Sequence, residues 1–131
     1  MVRVSHSANT AGFSNPFTSI FRSYTFKTPL VLLRKNVNIL ELFHGPTLAF
    51  KDYAVRFMAR CMEKLLDQKI TLLVATSGDT GSAVANGFLG LNGINVIILY
   101  PSNRVSDIQE KQLTTYGRNV SAICSKYKLG A

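Results

Sequence analysis

The 131-residue sequence lacks the features typical of several large classes of protein. Its two cysteines, Cys61 and Cys124, have neither a metal-ligand spacing nor the density of a disulfide framework, so we expect a reducing compartment and no metal site. No apolar run reaches the roughly 18 residues that a membrane span needs, and no secretory signal peptide follows Met1. The glycines form neither the Gly-x-Gly-x-x-Gly fingerprint of dinucleotide-binding proteins nor a P-loop, which argues against both nucleotide sites.

Acidic residues are missing from both ends of the chain. All seven lie between Glu41 and Glu110, where six lysines and arginines nearly balance them. Residues 1–40 carry five basic residues and residues 111–131 carry four, with no acid in either segment. The formal net charge of +8 therefore belongs to the ends, and the near-neutral centre argues against a basic binding face on the folded part. We predict neither a nucleic-acid partner nor a membrane partner.

Apolar strand patterns alternate with amphipathic helix patterns in the centre of the chain. We predict strands at residues 38–43, 70–76, 96–100 and 119–123, and helices at residues 52–66, 81–91 and 106–116. The last helix begins with Ser106 and Gln109 at capping-box positions. The middle strands are apolar without alternation, which is typical of strands covered on both faces. The pattern predicts an α/β fold with an open parallel sheet and helices on both faces.

The predicted organisation has three parts. Residues 38–123 form the α/β domain, residues 1–37 a poorly ordered or non-native leader, and residues 124–131 a truncated tail. Residues 1–27 are rich in Ser, Thr, Asn and Phe without a clear period. Three interpretations of this leader remain open: a disordered segment, an organelle transit peptide, and sequence foreign to the domain.

Lys51 stands at a loop-to-helix junction that suits a reactive lysine. It follows a His-Gly-Pro turn and Phe50, and it precedes the first predicted helix. A protonated lysine amine is inert, whereas desolvation or nearby positive charge favours the nucleophilic neutral form. Phe50 can supply an apolar wall, and the start of the helix can supply the positive end of a dipole. The alternative is an ordinary exposed lysine at a helix start.

A second candidate site directly follows the predicted strand at residues 70–76. The run Ser77-Gly78-Asp79-Thr80-Gly81 leads from this strand into a helix. Unpaired backbone N–H groups at a helix start, together with glycines that admit close approach, bind anions. The alternative is a tight turn with a serine or aspartate as the helix cap. In parallel sheets ligands bind beyond the carboxyl ends of the strands, which is where this loop lies.

These two motifs together resemble the threonine synthase family. The resemblance rests on Leu-Phe-His-Gly-Pro-Thr-Leu-Ala-Phe-Lys-Asp at residues 42–52 and Ala-Thr-Ser-Gly-Asp-Thr-Gly at residues 75–81. It continues through residues 96–101 and 104–109 and covers roughly residues 39–123. It implies the smaller domain of a tryptophan synthase β-type enzyme with pyridoxal 5'-phosphate as cofactor. The implied reaction, that of a carbon–oxygen lyase acting on phosphates, converts O-phospho-L-homoserine and water into L-threonine and phosphate.

The resemblance also implies roles for individual residues. Lys51 would bind the cofactor covalently as a Schiff base and then move protons. The loop would bind the substrate carboxylate and lie against the cofactor ring, through Ser77, Gly78, Asp79 and Thr80. Further candidates are His44, Thr47 and Arg104. His44 equally fits a hydrogen-bonded turn, and Arg104 is either a partner of the substrate phosphate or a surface cation.

The length of the chain determines the remaining expectations. In the family the loop that holds the cofactor phosphate and the partner of the pyridine nitrogen come from later sequence. We therefore expect a fragment from the amino-terminal region of threonine synthase, with impaired activity alone and an uncovered apolar face that self-associates. The alternatives are an inactive remnant and another enzyme of the same fold, such as threonine dehydratase. We expect a cytoplasmic location, or an organellar one if the leader is a transit peptide.

Overall fold

The computed structural model describes residues 26–126. The elements in chain order are β1 (Leu30–Arg34), β2 (Val37–Leu40), α1 (Lys51–Leu65), β3 (Ile70–Ala75), α2 (Asp79–Phe88), β4 (Ile94–Pro101), α3 (Asp107–Thr114) and β5 (Val120–Ser125). The predicted leader up to residue 25 and the tail from residue 127 lie outside the described residues. The seven predicted elements all occur, with ends shifted by at most three residues.

The main sheet is parallel and has β4 between β3 and β5. Ile70 pairs with Ile94, and Val96 pairs with Val120, so the three strands are in a regular parallel register. Parallel neighbours need a crossover connection, which α2 and α3 supply. The predicted α/β class with a parallel sheet is confirmed.

The core lies between the sheet and the three helices. On β4 the buried side chains alternate, because Ile94, Val96, Ile98 and Tyr100 point to the same face. They belong to one buried cluster together with side chains from all three helices: Val55, Ala59, Ala83, Ala85, Phe88 and Leu113. The helices of residues 26–126 therefore cover one face of the sheet.

The opposite face is open in residues 26–126. Leu73 is 66% exposed and Ile123 is 51% exposed, and both lie on the face away from Ile98. This differs from the predicted helices on both faces. The apolar runs in β3 and β4 predicted burial on two sides, but the described part of the chain supplies helices to only one. Leu73, Ile97, Leu99 and Ile123 are called the open face below.

Strands β1 and β2 form a separate antiparallel hairpin, in which Leu30 pairs with Leu40. Asn36 in the two-residue turn has a φ of 64°, a conformation that asparagine adopts more readily than most residues. The predicted leader ended at residue 37, whereas residues 30–37 form β1, the turn and the first residue of β2. Every residue of β1 is exposed. Its apolar residues therefore do not alternate with polar ones, and the sequence did not predict this strand.

The first described residues contact α1. The Phe26 ring packs edge-on against Tyr53 at 5.9 Å between centroids, and the Tyr53 hydroxyl donates to the Lys27 carbonyl at 3.0 Å. Most of residues 1–27, the part of the predicted leader without a clear period, lie outside the described part. None of the helices between residues 26 and 126 has the length and apolar character to cross a membrane.

The Asn119 side chain forms hydrogen bonds with three backbone groups near the amino-terminal ends of β4 and β5. Its Nδ2 donates to the carbonyls of Phe88 at 2.9 Å and Ile94 at 2.8 Å, and its Oδ1 accepts from Gly90 N at 2.7 Å. The end of α2, the start of β4 and the start of β5 are therefore joined by one side chain.

We predict that Asn119→Asp lowers the free energy of unfolding by about 2 kcal/mol, because the carboxylate keeps the bond to Gly90 but cannot donate to Phe88 or Ile94. Urea denaturation measures the change. The matched control is Asn92→Asp, which makes the same substitution at an exposed position and should leave stability almost unchanged. Equal effects of the two substitutions would contradict the prediction.

Candidate functional site

A cavity of about 370 Å³ opens at the carboxyl end of β3. It is lined by Lys51, Gln109 and residues 75–80. The structure therefore brings together the lysine and the loop that the sequence singled out separately. Within the described part of the chain, Lys51 is the one cation and Asp79 the one anion in the lining.

Lys51 is the first residue of α1 and stands against an aromatic ring. Its Nζ lies 4.6 Å from the centre of the Phe50 ring. The face of an aromatic ring attracts an ammonium group, so this contact holds the charged amine. Phe50 is itself 62% exposed. The predicted aromatic wall is present, and it orients the amine more than it removes water from it.

A buried carboxylate closes the loop that precedes Lys51. Asp52 is only 1% exposed, and its two oxygens accept from Thr47 N at 2.9 Å and Thr47 Oγ1 at 2.7 Å. These two hydrogen bonds between Asp52 and Thr47 are called the clasp below. A side chain on Gly45 would collide with Asp52, so the clasp also requires glycine at position 45. Thr47, a predicted site candidate, lies in this clasp and not in the cavity lining. The clasp fixes the residue next to Lys51 and thereby the start of α1.

The other two candidates lie away from the cavity lining. His44 Nε2 is 2.6 Å from Glu41 Oε2, and its ring lies 4.7 Å from that of Phe43. This arrangement matches the hydrogen-bonded turn that was the alternative for His44. Arg104 is exposed and precedes α3. The structure thus collects Lys51 and the loop residues, and leaves His44, Thr47 and Arg104 outside the lining.

The hydroxyl of Thr76 organises the loop between β3 and α2. Thr76 Oγ1 accepts from the amides of Gly78 and Gly81, both at 3.1 Å, and the Thr76 side chain is almost fully buried. Gly78 has a φ of 158° and a ψ of −114°, a conformation open only to glycine. The sequence pattern did not indicate Thr76 as a site residue. The available signal was a hydroxyl residue directly before a glycine turn, a pattern that favours side-chain bonds to the local backbone.

The amides available to an anion are those at the first turn of α2. The amides of Gly78 and Gly81 are already bonded to Thr76, and that of Gly81 also to the Gly78 carbonyl at 3.0 Å. Asp79 and Thr80 are the first two residues of α2, whose amides precede the helical hydrogen-bond ladder. The donors that remain in the predicted anion cradle therefore include these two amides and the hydroxyls of Ser77 and Thr80.

Gln109 is a lining residue that sequence analysis treated only as part of a helix cap. The predicted capping box is present, with Ser106 Oγ accepting from Gln109 N. The same side chain also reaches the loop, because Gln109 Nε2 donates to Asp79 Oδ1 at 3.0 Å. The sequence signal for this second contact is absent, since 30 residues separate the two partners.

The fold and the cavity define the class of protein. It is an α/β protein with a parallel sheet, in which a lysine at a helix start faces a glycine-containing strand-to-helix loop. This is the edge of the sheet at which open parallel α/β proteins bind ligands.

Comparison with known proteins gives the particular family. A threonine synthase of Haemophilus influenzae is 53% identical over 102 residues, which are 77% of this chain and 24% of that protein. The crystal structure of Escherichia coli threonine synthase is 44% identical with a TM-score of 0.70, over 82% of this chain and 25% of that one. Threonine synthase from Brucella melitensis, solved with pyridoxal phosphate bound, is 41% identical with a TM-score of 0.78, over 86% and 26%.

The chain is homologous to one segment of the threonine synthases, and it spans about a quarter of the length of these relatives. No protein-family model matches it.

We predict that Thr76→Val loosens the loop and lowers the free energy of unfolding by about 2 kcal/mol, because the Gly78 amide loses its acceptor. Urea denaturation gives the stability, and hydrogen exchange at Gly78 reports the loop. Thr71→Val is the matched control, since Thr71 is exposed on β3 and makes the same change in shape. Unchanged exchange at Gly78 would show that Thr76 does not hold the loop.

Proposed function

We propose that this chain supplies the lysine and the carboxylate-binding loop of a threonine synthase site. The observation that carries the proposal is the single cavity lined by both Lys51 and residues 77–80. The relatives are named threonine synthases, and the family resemblance of the two motifs implies the reaction: conversion of O-phospho-L-homoserine and water into L-threonine and phosphate. The small-molecule partner is therefore a phosphorylated amino acid, and the cofactor is pyridoxal phosphate.

The residues present fit this cofactor. A primary amine that lines a cavity can bond to an aldehyde carbon, and the amine of Lys51 lines this one. When bound, the cofactor supplies an electron sink for carbanions. Phe50 holds the Lys51 amine by its ring face until the amine reacts. Lys51 Nζ would hold the cofactor, and the same amine, when it is unbound, would hold and move a proton in the cavity.

The loop provides the complementary group for a substrate carboxylate. The amides of Asp79 and Thr80 point out of the first turn of α2, and the hydroxyls of Ser77 and Thr80 are additional donors. The carboxylate of Asp79 repels an anion, so its partner in the cavity is a cationic group, such as the amino group of the substrate.

The described residues alone should give low activity. Among residues 26–126, no cation other than Lys51 lines the cavity, so the phosphate of neither the cofactor nor the substrate has a charged partner there. Oriented charges at the reacting groups are typically the largest contribution to enzymatic rate. Water also reaches an open cavity and weakens the electrostatic interactions inside it.

Borohydride trapping tests the proposal directly. With added pyridoxal phosphate, we predict absorbance in the visible range and, after reduction and peptide mapping, a label on Lys51. Lys51→Arg keeps the charge but removes the reactive amine, so it should abolish both signals. Lys69→Arg makes the same change at an exposed lysine and should leave both signals intact. A label on Lys64 or Lys69 with none on Lys51 would refute the assignment.

We also propose that the open face mediates self-association of this chain. Large exposed apolar patches on soluble proteins typically mark interfaces, and Leu73 and Ile123 are more than half exposed on this one.

Leu73→Lys should shift the chain from associated species to monomer in sedimentation velocity, because a charge in an apolar contact must be desolvated. The control is Leu32→Lys, which places the same charge on the exposed hairpin and should leave the mass distribution unchanged. Dissociation by Leu32→Lys alone would assign the interface to the hairpin instead.

A further inference from the structure

Gln109 connects two elements that begin at the same edge of the sheet. Its Oε1 accepts from Ser106 N at 3.1 Å and from Ser106 Oγ at 3.3 Å, which completes the cap of α3. Its Nε2 donates to Asp79 Oδ1 at 3.0 Å, at the start of α2. The two ends of one amide group are therefore used for two different helices.

The loop backbone passes close to this amide. A Cβ placed on Gly78 would lie 2.8 Å from Gln109 Nε2, closer than real side chains approach. Glycine at this position thus permits both the unusual backbone angles of the loop and the passage of the Gln109 side chain. The amide is packed against the backbone of the loop as well as bonded to its carboxylate.

The choice of glutamine over glutamate is the informative feature. Glutamate serves equally well in a capping box, since only an acceptor is needed at this position. Facing Asp79, however, a glutamate would place a second carboxylate at hydrogen-bond distance and repel the first. Only the amide can accept from Ser106 and donate to Asp79 at the same time.

We propose that Gln109 is a positioning residue that fixes the Asp79 carboxylate and the loop backbone around it. The inference rests on the proposed function for its consequence, which is the placement of Asp79 in the cavity that Lys51 also lines. With Oδ1 bonded to Gln109, Oδ2 of Asp79 remains for a cationic group of a ligand. A carboxylate is unexpected in an anion-binding loop because it repels anions. The neutral Gln109 amide bonds to one of the two Asp79 oxygens.

A set of four variants separates positioning from helix capping. Gln109→Glu keeps the cap and turns the contact with Asp79 into a repulsion. Asp79→Asn keeps an acceptor for Gln109. The double variant Asp79→Asn with Gln109→Glu restores the pair with reversed polarity, because the asparagine amide then donates to the glutamate. Ser106→Ala removes the hydroxyl acceptor of the cap but leaves the Ser106 amide that holds Gln109 Oε1.

Backbone amide hydrogen exchange at Gly78 and Gly81, whose amides are hydrogen-bonded within the loop, is the primary measurement on the 131-residue chain. We expect Gln109→Glu to speed exchange there about tenfold, as loss of a hydrogen bond to a charged group typically does. Asp79→Asn and the double variant should both stay within about twofold of the original chain, since each keeps a donor–acceptor pair. Ser106→Ala should lower the unfolding midpoint while leaving exchange at Gly78 and Gly81 unchanged.

The affinity for pyridoxal phosphate, followed by absorbance, is the second measurement. Gln109→Glu should weaken it about tenfold, whereas Ser106→Ala should not. Absence of cofactor binding by the unaltered chain would refute the proposed function, and the exchange data would still decide the role of Gln109. Unchanged exchange in Gln109→Glu, no rescue in the double variant, or an equal effect of Ser106→Ala on the loop would each overturn the inference.

Discussion

The bond pattern around the Thr76 hydroxyl is the contact on which the candidate site depends. Thr76 N donates to Leu99 O at 2.9 Å, which ties the residue to β4, while its Oγ1 accepts from Gly78 and Gly81. The buried residue Thr76 therefore fixes the loop relative to the sheet. Because the amides of Gly78 and Gly81 are satisfied internally, those of Asp79 and Thr80 are left at the open end of α2.

The lysine is anchored independently, by the clasp of Asp52 on Thr47. Its distance from the loop then depends on how α1 packs against α2. That packing is close, because Val55 Cγ1 would lie 2.7 Å from a Cβ on Gly87, so a larger residue there would force the helices apart. The Thr76 hydrogen bonds hold the loop, and the Asp52–Thr47 bonds hold the start of α1. The close packing of α1 on α2 then places Lys51 beside residues 77–80. Displacing either helix would open the cavity without changing any residue that lines it.

Most of the elements, and most of the residues that line the candidate cavity, were indicated by the sequence. Lys51 and residues 77–80 were selected from their junctions, and they line one cavity. Thr76 and Gln109 also line the cavity and were not selected as site candidates, although Gln109 was recognised in its cap. Thr47 and His44 were selected as site candidates, but neither lines the cavity. Thr47 bonds to Asp52, and the His44 ring lies beside Glu41. A motif identifies the segment near a site, whereas contacts decide which of its side chains reach the cavity.

The sequence by itself determined what depends on a few neighbouring residues. The alternation of strand and helix patterns, the capping box at Ser106 and the glycine turn after β3 all arise from propensities and hydrogen bonds within one or two turns of chain. The tertiary structure decided which face of the sheet the helices cover, how Leu30 pairs with Leu40, and that Gln109 reaches Asp79. These outcomes join segments up to 30 residues apart. They depend on packing between elements, which local patterns do not encode.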